Sequence, residues 1–305
     1  MVGPCRAIFM AIYNLGSINT DIFYTLDAYP RAGETVAARA RIVGLGGKGA
    51  NQSVAAVRAG SRVTHMGRVG PDGVWAVEMM GSYGVEVAHV QRDAQAPTGH
   101  AVIMLDPAGE NRIVFYPGTN RLVQEDEVCA VLSRAASGDT LMLQNETNGQ
   151  VAAARTAQGR GMRVIYSAAP FDVDAVREVL PHVTLLAVNA VEATQLQEAV
   201  ARPLADLDVP EVVVTDGAAG ATWHDLRTGV RHHHGPPRVC PVDTTGAGDV
   251  FVGFFAAGRD RGYPVEGALR VVVGAGALHV TRRGTAEAIP DVLEVKTFLS
   301  AAEDA

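Results

Sequence analysis

The chain has 305 residues, of which 48% are hydrophobic and 19% charged. That balance supports a sizeable buried core and excludes a wholly disordered chain. Lys and Arg number 26 against 33 Asp and Glu, a formal net charge of −7. The charge argues against general nucleic-acid or anionic-membrane binding, but a local phosphate site remains open.

The first apolar run, Ile8–Leu15, resembles a short signal core, but no small-residue cleavage site follows. Gly16-Ser17 reads instead as a turn after a buried strand. Further strand-like runs occur at Arg62–Val69, Thr140–Leu143, Arg163–Ser167, Thr184–Val188 and Glu211–Thr215. Helical patterns at Gln52–Ala59, Gln150–Gln158 and Asp174–Leu180 lie between several of them. Continuous apolar strands alternating with helices predict an α/β fold with a central, mostly parallel sheet and helices on both faces. Thr20–Ala40 and Gly99–Tyr116 break the rhythm and read as hairpin strands outside that sheet. The second contains a turn signal at Asp106-Pro-Ala-Gly109-Glu-Asn111. A small antiparallel flap would exclude water from a site at the strand C-termini, where open α/β sheets bind ligands.

No apolar stretch reaches about 18 residues, so no transmembrane helix is expected. Cys5, Cys129 and Cys240 are far apart and odd in number, against a disulfide scaffold or a zinc cluster and consistent with the cytoplasm. His232-His233-His234 reads as a polar surface strand, because adjacent side chains on a strand point to opposite faces. Met79-Met80 reads as helix core.

Two glycine clusters carry the chemistry. Gly44-Leu-Gly46-Gly47-Lys48-Gly49-Ala-Asn51 satisfies G-x-G-x-x-G, but what precedes it is not a buried first strand. It is not a P-loop either, since Gly49 follows Lys48. A backbone cradle for a polar ligand and a tight turn before a helix starting near Asn51 both remain open. The second cluster, Asp243-Thr-Thr245-Gly246-Ala247-Gly248-Asp249, precedes the almost wholly apolar Val250–Ala257. A helix apolar all round is central, so its free N-terminal amides would open into the protein as an anion hole. Asp249, in the first turn, reads as a cap or as a general base beside that hole.

The chain resembles the PfkB carbohydrate kinase family, its ribokinase-like members above all. The resemblance begins with Gly16-Ser-Ile-Asn19-Thr-Asp21, Gly33-Glu34-Thr35 and Gly46-Gly47-Lys48-Gly49-Ala50-Asn51-Gln52. It continues with Gly67–Asp72, Gly109-Glu110-Asn111 and Asn189-Ala-Val-Glu192. Thr215-Asp-Gly217-Ala-Ala-Gly220, Asp243–Asp249 and Val280-Thr-Arg-Arg-Gly284 complete it, all in family order over about residues 8 to 290.

The resemblance implies a ribokinase-like fold, one kinase domain over 1–305 with a discontinuous β-lid from about 17–45 and 97–118. It implies an ATP-dependent sugar kinase, ribose to ribose 5-phosphate first. Another sugar, a nucleoside, or a silent sugar binder on the same scaffold are the alternatives. A nicotinamide oxidoreductase built on Gly44–Gly49 is a rival from another class. By resemblance, Asn19, Asp21, Gly46, Gly47, Lys48, Asn51 and Glu146 would bind the sugar. Asp249 would be the base, with amides of Gly246, Ala247 and Gly248 stabilising the transferred oxygens. Asn189 and Glu192 would place phosphate and Mg²⁺, and Thr215, Gly217 and Gly220 would lie beneath the nucleotide, with Gly248 also on its phosphates. A monovalent cation, K⁺ first, would sit among Asp243, Thr245, His279, Arg282, Gly284 and Ala288. Ser167-Ala-Ala-Pro170, Asp216, and the pair Ala190-Val191 depart from the family pattern and weaken ribose as the substrate. A homodimer through the lids is expected, because their edges would otherwise be bare.

Overall fold

Residues 10–107 and 111–303 are described by a computed structural model. Strand β1 (Ala11–Leu15) leads into two strands that leave the main sheet, β2 (Asn19–Thr25) and β3 (Ala40–Gly46), and then into helix α1 (Lys48–Arg58). β4 (Arg62–Val69), α2 (Val74–Ser82) and β5 (Glu86–Arg92) follow, then a hairpin of β6 (Gly99–Leu105) and β7 (Asn111–Tyr116). Helices and strands then alternate as α3 (Glu125–Leu132), β8 (Thr140–Gln144), α4 (Gln150–Gly159), β9 (Arg163–Ser167), α5 (Val173–Val179), β10 (Leu185–Asn189), α6 (Ala190–Val200) and β11 (Glu211–Thr215). β12 (Ala221–Asp225) and β13 (Arg231–His234) precede α7 (Ala247–Asp260), α8 (Val265–His279) and α9 (Val292–Glu303).

The main sheet has nine strands in the order β13-β12-β11-β10-β9-β8-β1-β4-β5. All its neighbours are parallel except the β11-β12 and β12-β13 pairs. The strand period of two splits the core between the faces. Along β8, Leu141 and Leu143 join the cluster under α3 to α6, while Met142 joins the one holding α1, α7 and α8. Helix α7 is the centre of that second layer. Phe254 and Phe255 are 2% and 1% exposed, and burying each contributes roughly 1.5–3 kcal/mol.

The second sheet has four strands, β3-β2-β6-β7. The β2–β6 pair is parallel, so this sheet is not wholly antiparallel as expected. Thr20–Ala40 is strand only at its ends. Pro30 and Gly33 interrupt it, with Gly33 at a positive φ. The tip of the second hairpin, including Gly109 and Glu110, lies outside the described residues, as do Cys5, Ile8 and Phe9.

Two helix boundaries moved. α1 begins at Lys48, not near Asn51, because Ala50 N–H bonds the Ser17 carbonyl at 2.9 Å and Asn51 N–H bonds that of Gly47 at 3.0 Å. α7 begins at Ala247 and runs to Asp260. Met80 is fully buried, and Met79 packs partly buried against the same core. The three histidines form β13, where Thr222 Oγ1 and His233 Nδ1 are 3.0 Å apart. Among the described residues, no group of three or more His, Cys, Asp or Glu could hold a metal, and no helix is long and apolar enough to cross a membrane.

Candidate active site

The first glycine cluster forms the joint between the two sheets. It follows β3 of the small sheet, not a strand of the parallel sheet, so it does not make the dinucleotide turn. A Cβ on Gly49 would run into the backbone of Gly16 and Ser17, and one on Gly46 into the Asp21 carboxylate. Glycine there lets α1 start against the end of β1 and brings four polar groups together. Asn19 and Asp21 come from β2, Glu146 from the turn after β8, and Lys48 from the first turn of α1.

These groups are held tightly. Glu146 accepts the Ser17 hydroxyl and, at 3.0 Å, the Lys48 N–H. Asn19 Oδ1 accepts Asn120 Nδ2 at 2.7 Å, and Asn120 Oδ1 accepts the Ile18 N–H at 3.0 Å. Burial first, then the charges of Glu146 and Asp249, pushes Asp21 up to about 7. Burial also raises Glu146. The Lys48 ammonium is raised, chiefly by Asp249 and then by Glu146, Glu192 and Asp21.

The second cluster lines a cavity that Lys48, alone of those four groups, also lines. Gly246 has φ +78 and caps α7 without a side chain. A Cβ on Gly248 would meet nothing within 4 Å, so packing does not require glycine there. Both line a cavity of about 230 Å³ with Lys48, Asn189, Glu192, Thr215, Ala247 and Asp249. Ala247 N–H already reaches the Thr244 carbonyl at a long 3.3 Å. Asp249 is 7% exposed; its Oδ2 accepts Asn51 Nδ2 at 3.1 Å and its Oδ1 accepts Gln52 Nε2 at 3.2 Å. Asn51 therefore reaches the carboxylate of α7 from inside α1, instead of capping its own helix.

Asn189 and Glu192 form a capping box on α6. Asn189 Oδ1 accepts Glu192 N–H at 2.8 Å and Glu192 Oε2 accepts Asn189 N–H at 2.9 Å. Burial raises Glu192. Thr215 ends β11, and Gly217 and Gly220 both take positive φ in the turn to β12. Of the departures from the family pattern, Asp216 is exposed, Val191 is 67% exposed, and Ser167 lines the cavity.

Asp243, Thr245, His279 and Gly284 meet behind the α7 turn. Asp243 Oδ1 accepts Thr245 N–H at 2.9 Å and Oδ2 accepts Gly284 N–H at 3.2 Å. Burial opposes ionisation of Asp243, but these N–H bonds outweigh it and lower its pKa. His279 Nε2 donates to the Thr245 carbonyl at 2.8 Å, so its side chain pins the glycine turn directly. Ala288 is buried in a short 3-10 turn, and the Arg282 guanidinium faces away to Glu294 at 2.7 Å.

Sequence reading missed Ser17, Asn120, Gln52 and Gln144 as parts of this arrangement. Gln52 could have been noticed as the residue after Asn51 in a helix that faces α7. Asn120 carries no pattern of its own. The Gly67–Asp72 motif has a structural task, since Asp72 Oδ1 accepts Thr98 N–H at 2.9 Å and Thr98 Oγ1 at 2.8 Å, anchoring the foot of β6.

An amide-lined helix start beside a buried carboxylate, near a cluster of buried polar side chains on an α/β scaffold, fits a phosphotransferase. A family model described as pfkB family carbohydrate kinase matches residues 12–292, and the chain belongs to that family. It is a carbohydrate kinase, a phosphotransferase with an alcohol group as acceptor. The chain is 31% identical to the ribokinase of Haemophilus influenzae, over 93% of this chain and 97% of that protein. It is 30% identical to the deoxyribokinase of Salmonella typhi, over 95% and 99%. The structure of Arabidopsis thaliana ribokinase complexed with ribose and ATP matches with a TM-score of 0.86 at 28% identity, covering 95% of this chain and 98% of that one.

Proposed function

We propose that this chain is an ATP-dependent ribokinase that makes ribose 5-phosphate. The observation that carries the reading is the position of Asp249. It lies in the first turn of α7, against the cavity lined by Gly246 and Gly248 and within electrostatic reach of Asp21 and Lys48. Asn19, Asp21, Lys48, Asn51 and Glu146 hold the sugar, with Gly46 and Gly47 giving backbone access. Asp249 takes the proton of the primary hydroxyl as its oxygen bonds the γ-phosphorus. The bond to the bridging oxygen breaks and ADP leaves. Amides of Gly246, Ala247 and Gly248 meet the charge on the transferred oxygens. The open space over Gly248 supports this, because glycine keeps that space for a ligand.

Mg²⁺ would be held mainly by phosphates and water. The capping bond of Glu192 uses Oε2, so Oε1 is the oxygen that would face the hydrated ion. The loop behind α7 suits a monovalent cation: Asp243 supplies the charge, and carbonyls of Thr245, His279, Arg282, Gly284 and Ala288 would complete the shell. The cation would order the turn and take no part in bond making. The outer strands of the small sheet expose Ile42 (63%), Ile113 (56%) and Val114 (61%). Ile42 and Ile113 share one face of that sheet through the Ile42–Phe23–Ile103–Ile113 register, and their exposure supports a homodimer through lids made of β2, β3, β6 and β7; sedimentation at micromolar concentration checks it, and a strict monomer contradicts it. The widely spaced cysteines favour the cytoplasm.

The second reading is deoxyribose as acceptor, which the deoxyribokinase relative favours. ATP consumption over pentoses, hexoses and nucleosides, in K⁺ and again in Na⁺, tests both. Fastest turnover with ribose, increased by K⁺, supports the first reading. Turnover only with another acceptor moves the substrate, and no turnover with any of them contradicts the proposal.

A further inference from the structure

A chain of fully buried polar side chains runs from Asp249 to His65 in the middle of β4. Gln52, Gln144, Asn14, Ser53 and His65 are each 0% exposed. Burying five such groups costs stability unless each is bonded. Gln52 Nε2 donates to Asp249 Oδ1 at 3.2 Å, and Gln52 Oε1 accepts Gln144 Nε2 at 2.7 Å. Gln144 Nε2 also donates to Asn14 Oδ1 at 2.9 Å. Asn14 Nδ2 donates to the Gly49 carbonyl and to Ser53 Oγ, both at 2.8 Å. Ser53 Oγ is 2.8 Å from His65 Nδ1, and His65 Nε2 is 3.1 Å from the Gly16 carbonyl.

The directions of these bonds are not free. A backbone carbonyl only accepts, so the side of Asn14 that faces Gly49 must be its NH₂, and its Oδ1 must face Gln144. Gln144 then has to present NH₂ to Asn14, and the same NH₂ reaches Gln52 Oε1. Gln52 is left with its own NH₂ toward Asp249. On the other branch, the Gly16 carbonyl requires a proton on His65 Nε2. Burial pushes His65 down to about 4, so near neutral pH the ring carries that one proton, and Nδ1 accepts from Ser53.

We propose that Gln144 and Asn14 are positioning residues for phosphoryl transfer: they key the Gln52 amide so that it donates to Asp249 and fixes the plane of that carboxylate. The inference rests on Asp249 being the base. Neither Gln144 nor Asn14 lines the cavity at Asp249, so both act through Gln52. If the keying is lost, Gln52 can turn its oxygen to Asp249 Oδ1 and push the carboxylate aside. Small misplacements of a reacting group of this kind lower rates by about 10- to 100-fold.

The test compares Gln144→Met, Gln52→Met and the double variant, with Asp249→Asn as a separate control. The proposal expects kcat to fall roughly 10- to 100-fold in Gln144→Met, with dissociation constants for ribose and ATP within about threefold of the parent. It expects the double variant to be no slower than Gln52→Met, because residues acting as one unit are not additive. Additive losses, or parental kcat in Gln144→Met while Asp249→Asn is inactive, overturn the positioning role alone. Turnover retained in Asp249→Asn overturns the base assignment instead. Should Gln144→Met not fold, the near-isosteric Gln144→Glu replaces it, because an ionised carboxylate cannot donate to Gln52 Oε1. A fall in kcat on the same scale supports the keying, and parental kcat overturns it.

Discussion

The two groups of candidate site residues are built differently. The proposed phosphate group, residues 243–249, comes from one continuous segment, and it offers backbone amides at the start of a buried helix capped by a left-handed glycine. The proposed acceptor group takes side chains from β2, α1 and the turn after β8, from Asn19 to Glu146 in the chain and held by Ser17 and Asn120. A site made of backbone is set by local conformation and tolerates few changes. A site made of side chains is set by packing, and it can shift between related sugars one residue at a time.

Breaking the phosphate end should have the larger effect. Gly248→Ala puts a methyl group into open space, so the melting temperature should hold while kcat drops about 10²-fold, the scale of losing one oxyanion donor. A fall in stability with normal kcat would assign Gly248 to packing. At the acceptor end, Asp21→Asn should weaken ribose binding about tenfold, the scale of one hydrogen bond to a charged group, and leave nucleotide affinity unchanged. Calorimetric titration of both ligands separates the two.

The same substitution sharpens the electrostatic contrast. The folded pKa of Asp21, about 7, lies above its ordinary value. Below about pH 4 it is protonated in both states and costs nothing. As pH rises from about 4 to 7 the unfolded chain releases the proton first, so Asp21 destabilises the empty enzyme progressively and fully above pH 7. Asp21→Asn should therefore raise the unliganded melting temperature more at pH 8 than at pH 5, and equal shifts at both would contradict the burial of this carboxylate. The smallest effect belongs to the α6 cap. Asn189→Ala should cost about 1 kcal/mol in denaturant unfolding, and its effect on the KM for ATP reports whether the cap also meets the nucleotide.

The same contrast explains what was legible beforehand. The parallel strands were readable because β-branched runs fully buried on both faces need no partner to be identified. The α7 turn was readable because glycine, acid and apolar helix are contiguous. The start of α1 was misplaced because Lys48 and Gly49 look like loop, and their N–H groups are met by residues distant in sequence, Glu146 Oε2 and Ser17 Oγ, with the Ser17 carbonyl taking the Ala50 N–H. Asn120, Gln144 and Asn14 were invisible for a similar reason: each is an amide in an apolar or loop context, and its role runs through partners more than 30 residues distant.

The most direct measurement is turnover and ribose affinity of Asp249→Asn on the same preparation. The structure predicts a kcat at least about 10³-fold below that of the parent, within the range for losing a positioned base, with ribose affinity within about threefold. Turnover near the parental value would contradict Asp249 as the group that accepts the proton.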